Sequence, residues 1–130
     1  MAKPEECRFA KTHEWAARQG DKAVVGISDH AQKEITDVVF VELPKPGRRV
    51  KAGEACAVVE SVKAAFDIYA PLTGEIAEVN GAIVKDPSLV NQSPFEKGWF
   101  FSIQVSEAGG WDGLMDSAKY EEFLKTQAHA

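Results

Sequence analysis

The stretch VVESVKAAFDIYAP, from Val58 to Pro71, puts a lysine where two apolar, strand-like runs must reverse, with neither glycine nor asparagine to ease the bend. Val62, Ala64 and Ala65 around Lys63 carry no charge, so no sequence neighbour can trap its ammonium in an ion pair, and the side chain is expected to stand free. A primary amine on a rigid turn is a good anchor for a swinging arm, because the scaffold fixes the attachment point while whatever is joined to the amine sweeps the surrounding solvent. Acylation would also remove its charge. A solvated turn lysine needs no such role, so the choice between the two readings falls to the surrounding residues.

Other chemistry is sparsely provided for. His13, His30 and His129 are scattered, and the chain has no HExxH, no paired-cysteine zinc spacing, no GxSxG and no phosphate-cradling glycine loop. The histidines read as surface or capping residues, and no catalytic residue or metal ligand is assigned. Cys7 and Cys56 are too few for a disulfide framework and lack CxxC spacing, so they read as ordinary reduced thiols.

The net charge is -5, and the one basic group is the short Arg48, Arg49, Lys51 set, which argues against nucleic acid as a partner. No apolar run approaches the roughly 18 residues of a membrane span. The N-terminal MAKPEECRFAKTHEW has neither the apolar stretch of a secretion signal nor the Arg- and Ser-rich character of a transit segment. A bacterial cytoplasmic protein is expected, in preference to a mature mitochondrial form.

A chain of 130 residues with 45% hydrophobic content suits one domain, 1–130, with a modest core. The β-branched run Ala23–Ile27 follows the turn pair Gly20-Asp21 and reads as a strand. Ser28 or Asp29 then caps a short helix carrying Gln32 and Ile35. Strands follow over 37–43, ended by Pro44-Lys45-Pro46-Gly47, and within 50–60 and 68–70. Gly74–Val79 alternates apolar and polar residues and is closed by Asn80-Gly81.

Asp86 and Pro87 open a short helical turn, and 98–105 reads as a last strand. After Gly109-Gly110, Tyr120, Phe123 and Leu124 share a helical face, so a C-terminal helix over 112–126 is expected to pack on a β-rich core spanning 23–105. The stretches VKAGEACAVVE and APLTGEIAEVN look like weak copies of one another. If each half formed a small sheet, the hairpin joining them would set Lys63 at one extreme end of the domain.

GISDHAQ, DVVFVELP, VVESVKAA, DIYAP, GEI, EVN, DPSLVN and GWFF occur in this order and close to the spacings of the H protein of the glycine cleavage system. The chain resembles that family from about Phe9 to Leu124. The resemblance implies a mainly β, hammerhead-like (barrel-sandwich hybrid) lipoyl domain of two small antiparallel sheets, with short helices and a C-terminal helix. ESVKA resembles the family's lipoyl attachment site, which maps lipoate, in amide linkage, onto Lys63.

The implied role is that of a non-catalytic carrier. A pyridoxal-phosphate glycine decarboxylase (P protein) loads an aminomethyl group onto the lipoyl arm, a tetrahydrofolate-dependent aminomethyltransferase (T protein) takes it, and dihydrolipoamide dehydrogenase (L protein) reoxidises the dithiol. Lipoate-attaching enzymes are further implied partners. The loaded arm needs shelter from water, and in this family it folds into a surface cleft. Thr12-His13-Glu14-Trp15 resembles the family's HEW segment, which makes Glu14 the principal partner for the cationic amine, with Thr12 a weaker one and Asp67 a second carboxylate candidate.

Two positions depart from the family pattern. Phe66 stands where a small hydroxyl residue is common, and His30 replaces the usual aromatic, so cleft shape and partner preference are open at both. The DKA motif and Pro/Ala-rich linkers of 2-oxo acid dehydrogenase lipoyl domains are missing, as are the flanking methionines of biotin carriers. A lipoate donor or relay protein for 2-oxo acid dehydrogenase complexes would use the same lysine and stays open as an alternative, as does an interaction module that is never acylated.

Overall fold

The computed structural model describes residues 3–106 and 110–127. His129 and Gly109 lie outside the described residues. A single 3-10 turn at Pro4–Glu6 leads into β1 (Arg8–Phe9), which pairs antiparallel with β2 (Glu14–Gln19). Gly20, at φ +65°, supplies the left-handed residue of the two-residue loop that sets Gln19 opposite Lys22 and starts β3 (Lys22–Ile27). The tight Gly20-Asp21 turn thus serves two strands, of which residue patterns marked only the second.

After β3 comes α1 (Asp29–Ile35), capped by Ser28, whose hydroxyl accepts from the Ala31 amide at 3.1 Å. Asp29, the other cap candidate, takes the Gln32 side-chain amide at 2.9 Å instead. β4 (Val38–Glu42), β6 (Ala55–Ser61) and β7 (Ala65–Tyr69) form a three-stranded antiparallel sheet. β5 (Arg49–Val50), β8 (Gly74–Val79) and β9 (Phe101–Val105) join the first three strands in a six-stranded sheet ordered β1-β2-β3-β9-β8-β5. The expected mainly β architecture of two antiparallel sheets with short helices and a C-terminal helix is the one observed.

Sheet membership differs from the two-halves expectation. The first of the similar stretches is divided, β5 entering the large sheet and β6 the small one, while the second supplies β8 of the large sheet. The Lys63 hairpin therefore joins two strands of one sheet. Val25, Ile27 and Ile103 from the large sheet and Val41, Val59 and Ile68 from the small one close a common core between the layers.

Three segments shift because side chains claim backbone groups. Asn80 ends β8 without forming a hairpin: its side-chain oxygen accepts from the Ala82 amide at 3.2 Å, leading into α2 (Ala82–Lys85), while its amide donates to the Lys97 and Trp99 carbonyls. Those two bonds hold 97–99 out of the ladder, so the last strand starts at Phe101 and not at Gly98. Around Asp86 the helix α3 covers Leu89–Gln92 with Ser88 at its N-cap, and Asp86 accepts from the Ser88 hydroxyl.

The C-terminal helix α4 runs Ser117–Gln127. It starts later than residue 112 because Met115 exchanges backbone hydrogen bonds with Phe9 at 2.7 and 2.9 Å, and Asp116 then accepts from the Lys119 amide at 2.8 Å. Its Tyr120, Phe123 and Leu124 cover a second cluster with Phe9, Trp15 and Val24.

Gly74 lies where β8 meets both neighbours, opposite Val105 on one side and Val50 on the other. A Cβ there would stand 2.1 Å from the Gln104 carbonyl oxygen and 2.6 Å from Ile103 Cγ2, so backbone would have to move. Gly74→Ala is expected to lower stability by about 2 kcal/mol or more, read from the urea midpoint.

Candidate functional site

The β6–β7 hairpin pairs Glu60 with Ala65, leaving four residues, Ser61 to Ala64, to reverse the chain. The Ser61 amide donates to the Ala64 carbonyl at 2.8 Å, and the Ser61 hydroxyl oxygen accepts from the amides of Lys63 at 3.1 Å and Ala64 at 3.2 Å. Among the described residues, the non-glycine positions with positive φ are His13 and Thr36, so neither Val62 nor Lys63 is left-handed. A buried hydroxyl thus takes the part usually left to glycine or asparagine. The Val62 amide adds a bond to the Asp37 carbonyl at 3.0 Å, tying the tip to the start of β4.

Lys63 is exposed, but it does not stand free as the sequence suggested. Its Nζ donates to the Glu34 carbonyl at 3.4 Å, in the last turn of α1, where helix carbonyls favour a cation. Sequence neighbours could not reveal this contact, because the partner lies 29 residues away. At this length, and in solvent, the bond is easily released.

Asn91 of α3 holds α1 beside the hairpin. Its amide donates to the Thr36 carbonyl at 2.8 Å, and its side-chain oxygen accepts from the Val38 amide at 2.9 Å, bridging the end of α1 and the start of β4. Thr36 between them has φ 66° and ψ -154°, a conformation disfavoured for a β-branched residue, and the Asn91 bridge offsets that strain.

A cleft of about 530 Å³ opens between α1 and β7. Ile27, Ile35, Val59, Phe66 and Ile68 give it apolar walls, and Thr12, His13, His30, Glu34 and Asp67 supply the polar part of its lining. Glu34 links the cleft to Lys63, since its carbonyl receives the amine. Phe66 pairs with Val59 and shares that strand face, so the aromatic that departs from the family pattern is a wall of the cleft. His30 is another, its ring 5.0 Å from that of His13.

Thr12 and Asp67 therefore both reach the cleft, and Glu14 lies behind Thr12. Glu14 is 1% exposed, one carboxyl oxygen accepting from the Thr12 hydroxyl and the other from the Tyr69 amide at 2.9 Å. The second bond joins β2 of the large sheet to β7 of the small one. Burial pushes the Glu14 carboxyl up to about 7, against the opposing effect of the Thr12 hydroxyl and of the Tyr69 and Glu14 backbone amides.

Sequence reasoning missed the connection to the C-terminal helix. Tyr120 Oη lies 2.7 Å from His13 Nδ1 and 2.7 Å from Ser28 Oγ, so α4 braces the Thr12-His13 turn and the N-cap of α1 together. The helical spacing of Tyr120 with Phe123 and Leu124 marked a packed face but carried no sign of where the phenol would bond.

Both cysteines are buried and unpaired, and burial pushes each thiol up to about 12. No group of three or more metal-ligating side chains occurs among the described residues, and none of their helices is long and apolar enough to cross a membrane.

Residues 7–127 match the family model described as Glycine cleavage H-protein. The chain belongs to the glycine cleavage H-protein family. It is 54% identical over 121 residues to the glycine cleavage system H protein of Acidiphilium cryptum, covering 93% of this chain and 98% of that one. The H protein of Thermus thermophilus is 53% identical over 125 residues, covering 96% and 98%. A crystal structure of the H protein from Mycobacterium marinum superposes with a TM-score of 0.82 at 37% identity, over 91% of this chain and 95% of that one.

The raised carboxyl of Glu14 has a consequence for stability. Its ordinary value is 4.5, so between about 4.5 and 7 the folded protein holds a proton that the unfolded chain gives up. That contribution is complete below the lower value and disappears as pH rises through the upper one. Urea titrations from about pH 5 to about pH 8 are expected to show wild type losing about 2 kcal/mol relative to Glu14→Gln.

Proposed function

We propose that Lys63 carries lipoate in amide linkage and that the chain shuttles the aminomethyl group of glycine from the pyridoxal-phosphate decarboxylase to the tetrahydrofolate-dependent aminomethyltransferase, with dihydrolipoamide dehydrogenase restoring the disulfide. The observation that supports this most is an exposed lysine on a hydroxyl-braced hairpin beside a mostly apolar cleft, in a chain of the H-protein family. The residues suit the group. Ile27, Ile35, Val59 and Phe66 match an aliphatic chain, and the acidic residues nearby match a cationic amine.

When bound, lipoate supplies a dithiol/disulfide pair, a soft nucleophile in one state and a two-electron acceptor in the other. The protein supplies position and shelter. Ser61 fixes where the arm begins, and lysine plus lipoate then reaches roughly 12–14 Å when extended, far enough to enter a deep site while the body stays outside. Tethering raises the local concentration at each docked enzyme. The apolar walls exclude water from a sheltered arm; Thr12 lines the cleft with the buried Glu14 carboxyl behind it, and Asp67 is the acid that lines the cleft directly. The chain itself acts as a carrier and performs no step of the chemistry.

Intact mass of the protein purified from its native host is expected to show one lipoyl increment that disappears in Lys63→Arg. In a reconstituted system with the decarboxylase, aminomethyltransferase and dihydrolipoamide dehydrogenase, that variant should support no glycine cleavage; retained activity would overturn the carrier role. Transfer of lipoate to 2-oxo acid dehydrogenases without any support of glycine cleavage would favour relay instead. At about pH 8, where the Glu14 carboxyl is ionised, Glu14→Gln is expected to shorten the lifetime of the methylamine-loaded form about tenfold or more, as befits loss of a charged hydrogen-bond partner. An unchanged lifetime would remove Glu14 from the site.

A further inference from the structure

Three large apolar side chains stand in solvent beside Lys63: Val62 is 69% exposed, Val39 56% and Phe40 49%. β4 is an edge strand of the three-stranded sheet, and its pairing slips between Val38 and Phe40, a bulge that falls at Val39. Val38 pairs with Ser61, Phe40 pairs with Glu60, and the Val62 amide reaches the Asp37 carbonyl at 3.0 Å. The three side chains thus belong to adjoining positions across one strand spacing. None belongs to either core cluster. Apart from the target Lys63 itself, the exposed charged residues around them are acidic: Glu42 and Glu60 in the strand pair and Asp37 just before β4. An exposed apolar patch with a border of one charge is a surface built for a partner.

We propose that this patch is where the enzyme that acylates Lys63 docks, presenting an apolar seat bordered by arginine or lysine side chains. The inference rests on the carrier role of Lys63, and distance selects the occupant. An enzyme working on the far end of the arm can stand roughly 12–14 Å from Nζ, whereas the one that makes the amide must bring its acyl carbonyl to Nζ itself. In that step the amine leaves the Glu34 carbonyl, loses a proton and attacks the carbonyl of an acyl adenylate. The C–N bond forms, the C–O bond to AMP breaks with its electron pair leaving on AMP, and the second proton passes from nitrogen to solvent. A site closed around the hairpin tip covers Val62 and the bulged edge of β4 in the same approach.

The test uses the full unlipoylated chain with a purified lipoate–protein ligase, lipoate and MgATP, acylation being followed by intact mass. Val62→Ser and Phe40→Ser are each expected to lower kcat/KM for acylation about tenfold or more, as loss of a buried apolar contact predicts. Glu42→Lys should lower it several-fold, with the deficit shrinking as salt rises. Carried to full acylation, the same variants should serve the glycine decarboxylase within about twofold of wild type, because the arm lets that enzyme dock elsewhere. Acylation of Val62→Ser and Phe40→Ser at the wild-type rate, or equal losses in both assays, would overturn the docking site and leave the carrier role standing. A wild-type chain that the ligase cannot acylate at Lys63 would overturn both.

Discussion

The hydroxyl of Ser61 accepts from the amides of Lys63 and Ala64 while the Ser61 amide holds the Ala64 carbonyl, and this small knot of hydrogen bonds is what the site depends on. The carrier role proposed for Lys63 sets two opposed requirements: its backbone must be fixed and its side chain released. A glycine turn would meet the second requirement and weaken the first, because glycine adds backbone freedom where the arm begins. Bracing the turn with a buried side chain leaves the tip residues in ordinary backbone conformations, with Val62 and Lys63 both in solvent.

The hairpin is held in place from its sides as well. The Asp37 carbonyl anchors Val62, and Asn91 clamps the connection in which Asp37 lies, so α3, α1 and β4 form one support under the tip. The same clamp fixes the last turn of α1, whose Glu34 carbonyl meets the lysine and whose side chains wall the cleft. On the other wall, Tyr120 carries the bracing out to the C-terminal helix. Glu14 then joins the sheets through Tyr69, accepting a poorly solvated carboxyl in return for a polar group placed just behind the cleft.

Much of the scaffold could be read from residue patterns. The strands at 23–27, 37–43 and 74–79 carry β-branched residues or strict alternation, and turn residues mark their limits, which is local information. The boundaries that moved did so where distant groups intervened. Met115 is held by Phe9, which delays α4, and Asn80 reaches across to Lys97 and Trp99, which delays β9. β2 went unread although the Gly20-Asp21 turn implied a partner strand, because Glu14-Trp15-Ala16-Ala17 has no period-two contrast: its first three residues are all buried, Glu14 included.

For the site, the chain's own residues determined that a lysine sits at an uncharged reversal, and the ordered motifs around it pointed to the H-protein family and so to Lys63, Thr12, Glu14 and Asp67. These are properties of short stretches, and short stretches keep their meaning in one dimension. Only the tertiary structure decided that Lys63 rests on the Glu34 carbonyl, that Glu14 lies behind Thr12, that Phe66 and His30 wall the cleft, and that Val39 and Phe40 gather beside Val62. Each of those depends on which strand lies next to which, and that is settled by burial of the common core between the sheets, a sum over the whole chain that no local pattern contains.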